Sequence, residues 1–167
     1  MSPIRDGIGS LSETDADQLG ALLNSFVVET HAHCALLCDR SGRLLIKSGD
    51  TGSMDNVTFA SLVAGDFAAS DQLARLLGED EFSSLYHAGQ GRSMFLADVS
   101  GYSILAAIFD TKTTLGMIRL KSRTTVPRLV AVFDEIANRP PQAVGFGMDN
   151  NWMAEAEDEI DRLFGDN

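Results

Sequence analysis

Residues 93–109 read SMFLADVSGYSILAAIF. Two apolar runs flank Ser100-Gly101, a pair suited to a tight turn, so the stretch reads as two antiparallel strands. Upstream, SLYHAGQ (84–90) is a third run, joined to the second through the glycines at 89 and 91. Three strands linked by turns this short form a meander, and a meander must be antiparallel. The fold is built around that sheet.

Working outward, CALLCD (34–39) and RLLIKSG (43–49) read as two more strands with a turn at Ser41-Gly42. Helical spacing appears in three places. Leu19, Leu22, Leu23, Phe26 and Val27 follow Ser12, a suitable N-cap with Asp15 three residues on, and this predicts a helix ending near Thr30. From Asp55, a second cap, another helix is predicted to about Leu77, with Phe59, Leu62, Val63, Phe67, Leu73 and Leu77 broadly on one side. Ser61, Ala64, Gly65, Ala68 and Gln72 make a stripe of mostly small residues on another side. The third helix spans about Leu115 to Ala137, where Pro127 predicts a kink or a restart, because proline removes a hydrogen bond and clashes one turn back. The order helix, two strands, helix, three strands, helix is buried most simply as an α+β domain: one five-stranded antiparallel sheet flanked by helices.

The predicted organisation is a loose lead (1–11), one domain (12–138), a linker (139–149) and an acidic amphipathic tail (150–167). Of 167 residues, 44% are hydrophobic, enough for one core. MSPIRDGIGSLSETD has no apolar signal core and the greasiest run, Ile104 to Phe109, cannot span a bilayer, so the expected location is the cytoplasm. A net charge of −11 disfavours nucleic acid and anionic membrane as partners. From Pro140 onward seven acids face one arginine, Arg162, so −6 of that charge sits in residues 140–167 and −5 on the rest.

Catalytic patterns are scarce. His31, His33 and Cys34 in HAHC lack a clear fourth ligand, so no metal is expected, and GRLLIKS lacks the glycine a phosphate loop needs before Lys47. Cys34 and Cys38, four apart on a strand, lie about 13 Å apart, too far for a disulfide, and read as buried thiols. Glu79, Asp80 and Glu81 read as a solvated turn, and His87 as facing out from an edge strand. No cofactor and no enzymatic activity are expected. Binding is left. The small-residue stripe admits a close backbone, either a partner's, the protein's own sheet or a second copy across a dimer axis.

ASLVAGDFAASDQLARLLGEDEF (60–82), LYHAGQG (85–91), IFDTKTTLGMIRL (108–120) and the order of elements resemble the bacterial Roadblock/dynein light chain family over roughly residues 15–138. EIDRLF (159–164) resembles the tail of its MglB-type members, regulators of a Ras-like GTPase of the MglA type. The resemblance implies a roadblock/profilin-like fold and a homodimer with a joined sheet, which would place Leu85, Tyr86 and His87 at the dimer interface. It also implies a GTPase surface including Ser61, Ala64, Gly65, Ala68 and Gln72, and stimulation of hydrolysis through the GTPase's own catalytic residues, without an inserted arginine. Gln72 stands where the family usually has a smaller residue, and Pro127 where its last helix is unbroken. The tail, with Trp152, Ala156, Ile160, Leu163 and Phe164 at helical spacing, is expected to be disordered when free and helical when docked. Its matching role is a second grip on the GTPase, through Trp152, Ile160, Leu163 and Phe164, associated with nucleotide exchange. Two other function classes fit a sheet flanked by helices: a small-molecule sensor and a passive scaffold for polarity or motor assemblies. The tightly alternating SILAAIF argues for a filled interior rather than a sensor's pocket.

Overall fold

The computed structural model describes residues 10–140 and Arg162. The predicted tail contacts Trp152, Ile160, Leu163 and Phe164 lie outside the described residues.

Helix α1 (Glu13–Thr30) begins at Ser12, whose hydroxyl accepts from the Asp15 N–H (3.2 Å) while the Asp15 carboxylate accepts from the Ser12 N–H (3.0 Å). This reciprocal capping satisfies two otherwise orphaned donors. His31, in the left-handed region (φ 59°), ends the helix. Strands β1 (Cys34–Asp39) and β2 (Leu44–Gly49) then pair through a turn in which Gly42 has φ 94°; a Cβ there would sit 2.9 Å from the Ser61 Cα. Only glycine satisfies both the dihedral and the close approach.

Helix α2 (Asn56–Leu76) is capped by the Asp55 carboxylate, which accepts from the N–H groups of Val57 and Thr58. The meander follows as β3 (Ser84–His87), β4 (Ser93–Val99) and β5 (Ser103–Phe109), with β3 shorter than its sequence run. Asp110 closes the passage to the last helix by accepting from the Lys112 N–H (2.8 Å), and Thr114 caps α3 (Leu115–Ala137) through the Met117 N–H (3.1 Å). Pro127 does not restart this helix. Pro127 and Arg123, whose carbonyl loses its partner, are both exposed, so water can satisfy what the missing N–H leaves open.

The sheet order is β2-β1-β5-β4-β3 and every neighbour is antiparallel. β1 and β5 lie between other strands with helices on both faces, which is why CALLC and ILAA are almost continuously apolar. On one face α1 and α3 cover Leu37, Phe95, Ala97, Leu105 and Phe109. On the other, α2 alone covers Cys38, Leu96, Ile104 and Ala106. Burial pushes the Cys34 and Cys38 thiols up to about 11 and about 12, leaving them neutral.

Candidate partner-binding site

Helix α2 turns Ala60, Val63, Ala64, Phe67, Ser70 and Ala74 toward the sheet. Most of these are small, so the helix sits close and Phe67 fills the gap. The expectation that Leu62, Leu73 and Leu77 share the large inner side is corrected: they are 68%, 56% and 74% exposed, and Leu76 is 82% exposed. The inner side takes Val63 and Phe67 from the large set and Ala64 from the small stripe, and completes itself with Ala60, Ser70 and Ala74, so one helix face against one sheet leaves most of both stripes outside.

The outer surface of α2 divides into two flanks. At 100° per residue, Ser61, Ala64, Ala68 and Gln72 fall on one side. That side faces the β1–β2 turn, where the Ser61 hydroxyl lies 3.4 Å from the Gly42 carbonyl oxygen. Ser61, Gly65, Ala68 and Gln72 are exposed, whereas Ala64 is buried beneath them at 7%. The other flank carries Leu62, Ala69, Leu73 and Leu76. It faces β3, because Asp66, in the same sector, meets the His87 ring at 2.6 Å. His87 is exposed on the edge strand, as its sequence position suggests, but its ring reaches back to α2. Gly65 lies between the flanks, and a Cβ on it would meet nothing within 4 Å.

Strand β3 continues this surface. It pairs with β4 and, among the described residues, with no other strand, so its second edge is open. Leu85, opposite Leu96, joins the α2-side core, whereas Tyr86 points to the other face, stacks on Phe109 at 6.3 Å and stays 41% exposed. The structure thus brings His87 together with α2 through Asp66 and sets Tyr86 on the opposite face.

Sequence reasoning missed Arg40. Its guanidinium lies over the Phe67 ring (4.7 Å from the centroid), bonds Asp71 of α2 at 3.3 Å and also bonds Asp98. It fixes the second half of α2 to the sheet from the end of β1. No local pattern announces it, because its partners lie 31 and 58 residues away.

The described residues contain no group of three metal-ligating side chains. His33, from the HAHC stretch, instead meets Asp110 at 2.7 Å across the α1–β1 and β5–α3 junctions. Carboxylates with lowered pKa values act as caps and braces: Asp15, held at about 2 by the Arg139 guanidinium, Asp55 by Thr58, and Asp110 by the Lys112 N–H. None lies on the outer face of α2. No described helix is long and apolar enough to cross a membrane.

The sheet is closed by two helices on one face and on the other by one helix whose outer side exposes Leu62, Leu73 and Leu76. The chain belongs to the Roadblock/LC7 domain family, whose model matches residues 18–109. It is similar to Myxococcus xanthus MglB, with 32% identity and a TM-score of 0.68 over 70% of this chain and 95% of that one. The Thermus thermophilus gliding protein MglB gives 29% identity and a TM-score of 0.71 over 75% and 95%. A structure described as MglB with tetrameric arrangement gives 28% and 0.72 over the same shares. No curated protein sequence matches significantly.

Proposed function

We propose that this protein is a homodimeric regulator of a small Ras-like GTPase of the MglA type, acting in cell polarity or motility. The observation that carries the proposal is the two-flanked outer face of α2. Leu62, Gly65, Ala69, Leu73 and Leu76 are spaced 3, 4, 4 and 3 apart, a pattern symmetric about Ala69. Two such helices crossing antiparallel at a two-fold axis set Leu62 against Leu76 of the second copy, and Leu73 against its Gly65, large against small. The same axis brings the open β3 edges together, so Leu85, Tyr86 and His87 join the two sheets.

Pairing of the β3-side flanks leaves Ser61, Ala68 and Gln72, with Ala64 beneath and Gly65 at the border with the seam, as a shallow surface on each side of the axis. Its small, uncharged side chains let the backbone of a GTPase switch segment approach, and none of them can reach a phosphate as an arginine would. Acceleration of hydrolysis then comes from fixing the GTPase's own catalytic groups. The tail contributes a second grip through Trp152, Ile160, Leu163 and Phe164 on a partner already held. A linker of about ten residues spans roughly 16–19 Å, giving an effective concentration near millimolar.

Single-turnover GTP hydrolysis by a purified Ras-like GTPase, with and without this protein, tests the reading. The expected result is acceleration with preference for the GTP-loaded form, and loss of nucleotide exchange stimulation on deleting residues 140–167. Equal indifference to the GTP and GDP forms would overturn it.

A further inference from the structure

A groove of about 460 Å³ runs between α1 and α3, on the side turned away from the sheet. Ala21, Leu22 and Ser25 line it from α1, and Arg128, Ala131 and Val132 from α3. Its floor is apolar, since Leu22 and Val132 are half-buried against the core, and its rims combine the small Ala21, Ser25 and Ala131 with Gln18, one cation, Arg128, and, at the end nearer the α3 C-terminus, one acid, Glu135. Toward the far end of α1 the same face continues to Val28, 63% exposed.

We propose that the acidic C-terminal segment, residues 150–164, lies in this groove as a helix antiparallel to α3 when no other partner holds it. The inference goes beyond the GTPase reading and does not depend on it. Three observations commit the groove to this occupant.

The first is where the chain goes. It leaves α3 at Ala137, little more than one turn beyond Val132, so the groove is within reach of a segment that follows a linker of about ten residues. That linker easily turns the chain back along the helix it has just left.

The second is shape. Ala21, Ser25 and Ala131 let a third helix approach to about 8–10 Å between axes, the normal distance for packed helices. Trp152, Ala156, Ile160, Leu163 and Phe164 supply an apolar side spaced to face them. Arg162, the described residue of this segment, has helical backbone and an exposed side chain.

The third is charge. Between residues 115 and 133, α3 carries Arg119, Lys121, Arg123 and Arg128 and no acid, on a chain whose net charge is −11. Lys121, bonded to Glu29 of α1 at 2.5 Å, and Arg128 mark the groove side. Running antiparallel, the segment places Trp152 near the end of α3 and brings Glu157, Asp158 and Glu159 to Arg128. Running parallel, it would set those acids beside Asp134 and Glu135. A second copy docking through the same face would oppose one basic stripe with another.

Trp152 is the protein's sole tryptophan, so its fluorescence reports this segment alone. Acrylamide quenching of the full chain should be several-fold weaker than quenching of a synthetic peptide of residues 149–167. Ala131→Glu, at an exposed position that leaves the core untouched, should raise quenching to the peptide's value, and Arg128→Glu should raise it part of the way. Lys47→Glu, on β2, should leave it unchanged. Peptide-like quenching of the parent chain would overturn the proposal. So would protection that survives both groove substitutions, or protection that vanishes on dilution, the mark of a segment held by another molecule.

Discussion

The two faces of the sheet are finished differently. Behind it, α1 and α3 bury Leu19, Leu23, Phe26, Ile118, Leu129 and Phe133 and clamp their own ends, Arg139 to Asp15 and Lys121 to Glu29. Tyr102 stacks on Phe133 at 5.5 Å and donates to Asp134. In front, α2 lies alone, its small residues turned inward and four leucines turned out. The first face is closed by its own chain. The second has the make-up of a face closed by another chain, because large apolar side chains at half or more of their full exposure return nothing to the isolated fold.

Phe133→Ala should separate the faces most sharply: removing a fully buried ring costs about 3–5 kcal/mol, read as a lower denaturant midpoint. Leu73→Ala, an equally apolar deletion on α2, should cost the isolated subunit less than about 0.5 kcal/mol, so that its effect falls on assembly. If Leu73→Ala destabilises a dilute, monomeric sample as much as Phe133→Ala does, the contrast between faces is broken.

Ala68→Arg probes the other flank of α2. The account expects loss of GTPase binding with an unchanged unfolding midpoint and an unchanged assembly state, measured by titration against the GTP-loaded partner. Retained binding would move the GTPase off this flank.

Arg139→Ala tests how the rear face is clamped. It leaves the buried Asp15 carboxylate with only the Ser12 contacts and should lower the denaturant midpoint, by less than Phe133→Ala does. The pH dependence follows from the same pair. Arg139 depresses the folded Asp15 pKa to about 2, below its unfolded value. Its stabilisation is therefore complete above the unfolded value and is lost as pH falls through the folded value of about 2. Acid titrations of parent and Arg139→Ala should converge at the acid end, separate as pH rises from about 2 to about 4, and stay apart by a constant amount above that.

The smallest effect concerns the thiols. Cys34 and Cys38, buried and raised to about 11 and about 12, should resist alkylation at neutral pH until the chain is unfolded. Modification without unfolding would mean that the sheet beneath α2 opens more readily than its packing implies.

The strands and helices were legible because each signal is local. Ser12 with Asp15 and Asp55 with Thr58 mark helix starts, and Gly42 and Gly101 mark turns within a few residues of what they control. The meander around Ser100-Gly101 fixed the antiparallel character of the sheet, and its alternation split Leu105 from Ile104 onto opposite faces. The orientation of α2 was not legible. Two stripes were present and neither became the inner side: Val63 and Phe67 come from one, Ala64 from the other, and Ala60, Ser70 and Ala74 from neither. Pro127 misled because its cost depends on whether the freed carbonyl is wet, which sequence spacing does not tell. Arg40 and the His87–Asp66 contact are long-range pairings with no periodic signature. The small-residue stripe was found, but Ala64 proved to sit under it rather than on it.

Sedimentation velocity of the parent chain beside Leu73→Glu tests most directly whether the front of the sheet is completed by a second copy. The account predicts a parent species of twice the 18.0 kDa chain mass at micromolar concentration, and a folded Leu73→Glu species of one chain mass. A parent that sediments as one chain, or a Leu73→Glu variant that still sediments as two, would contradict it.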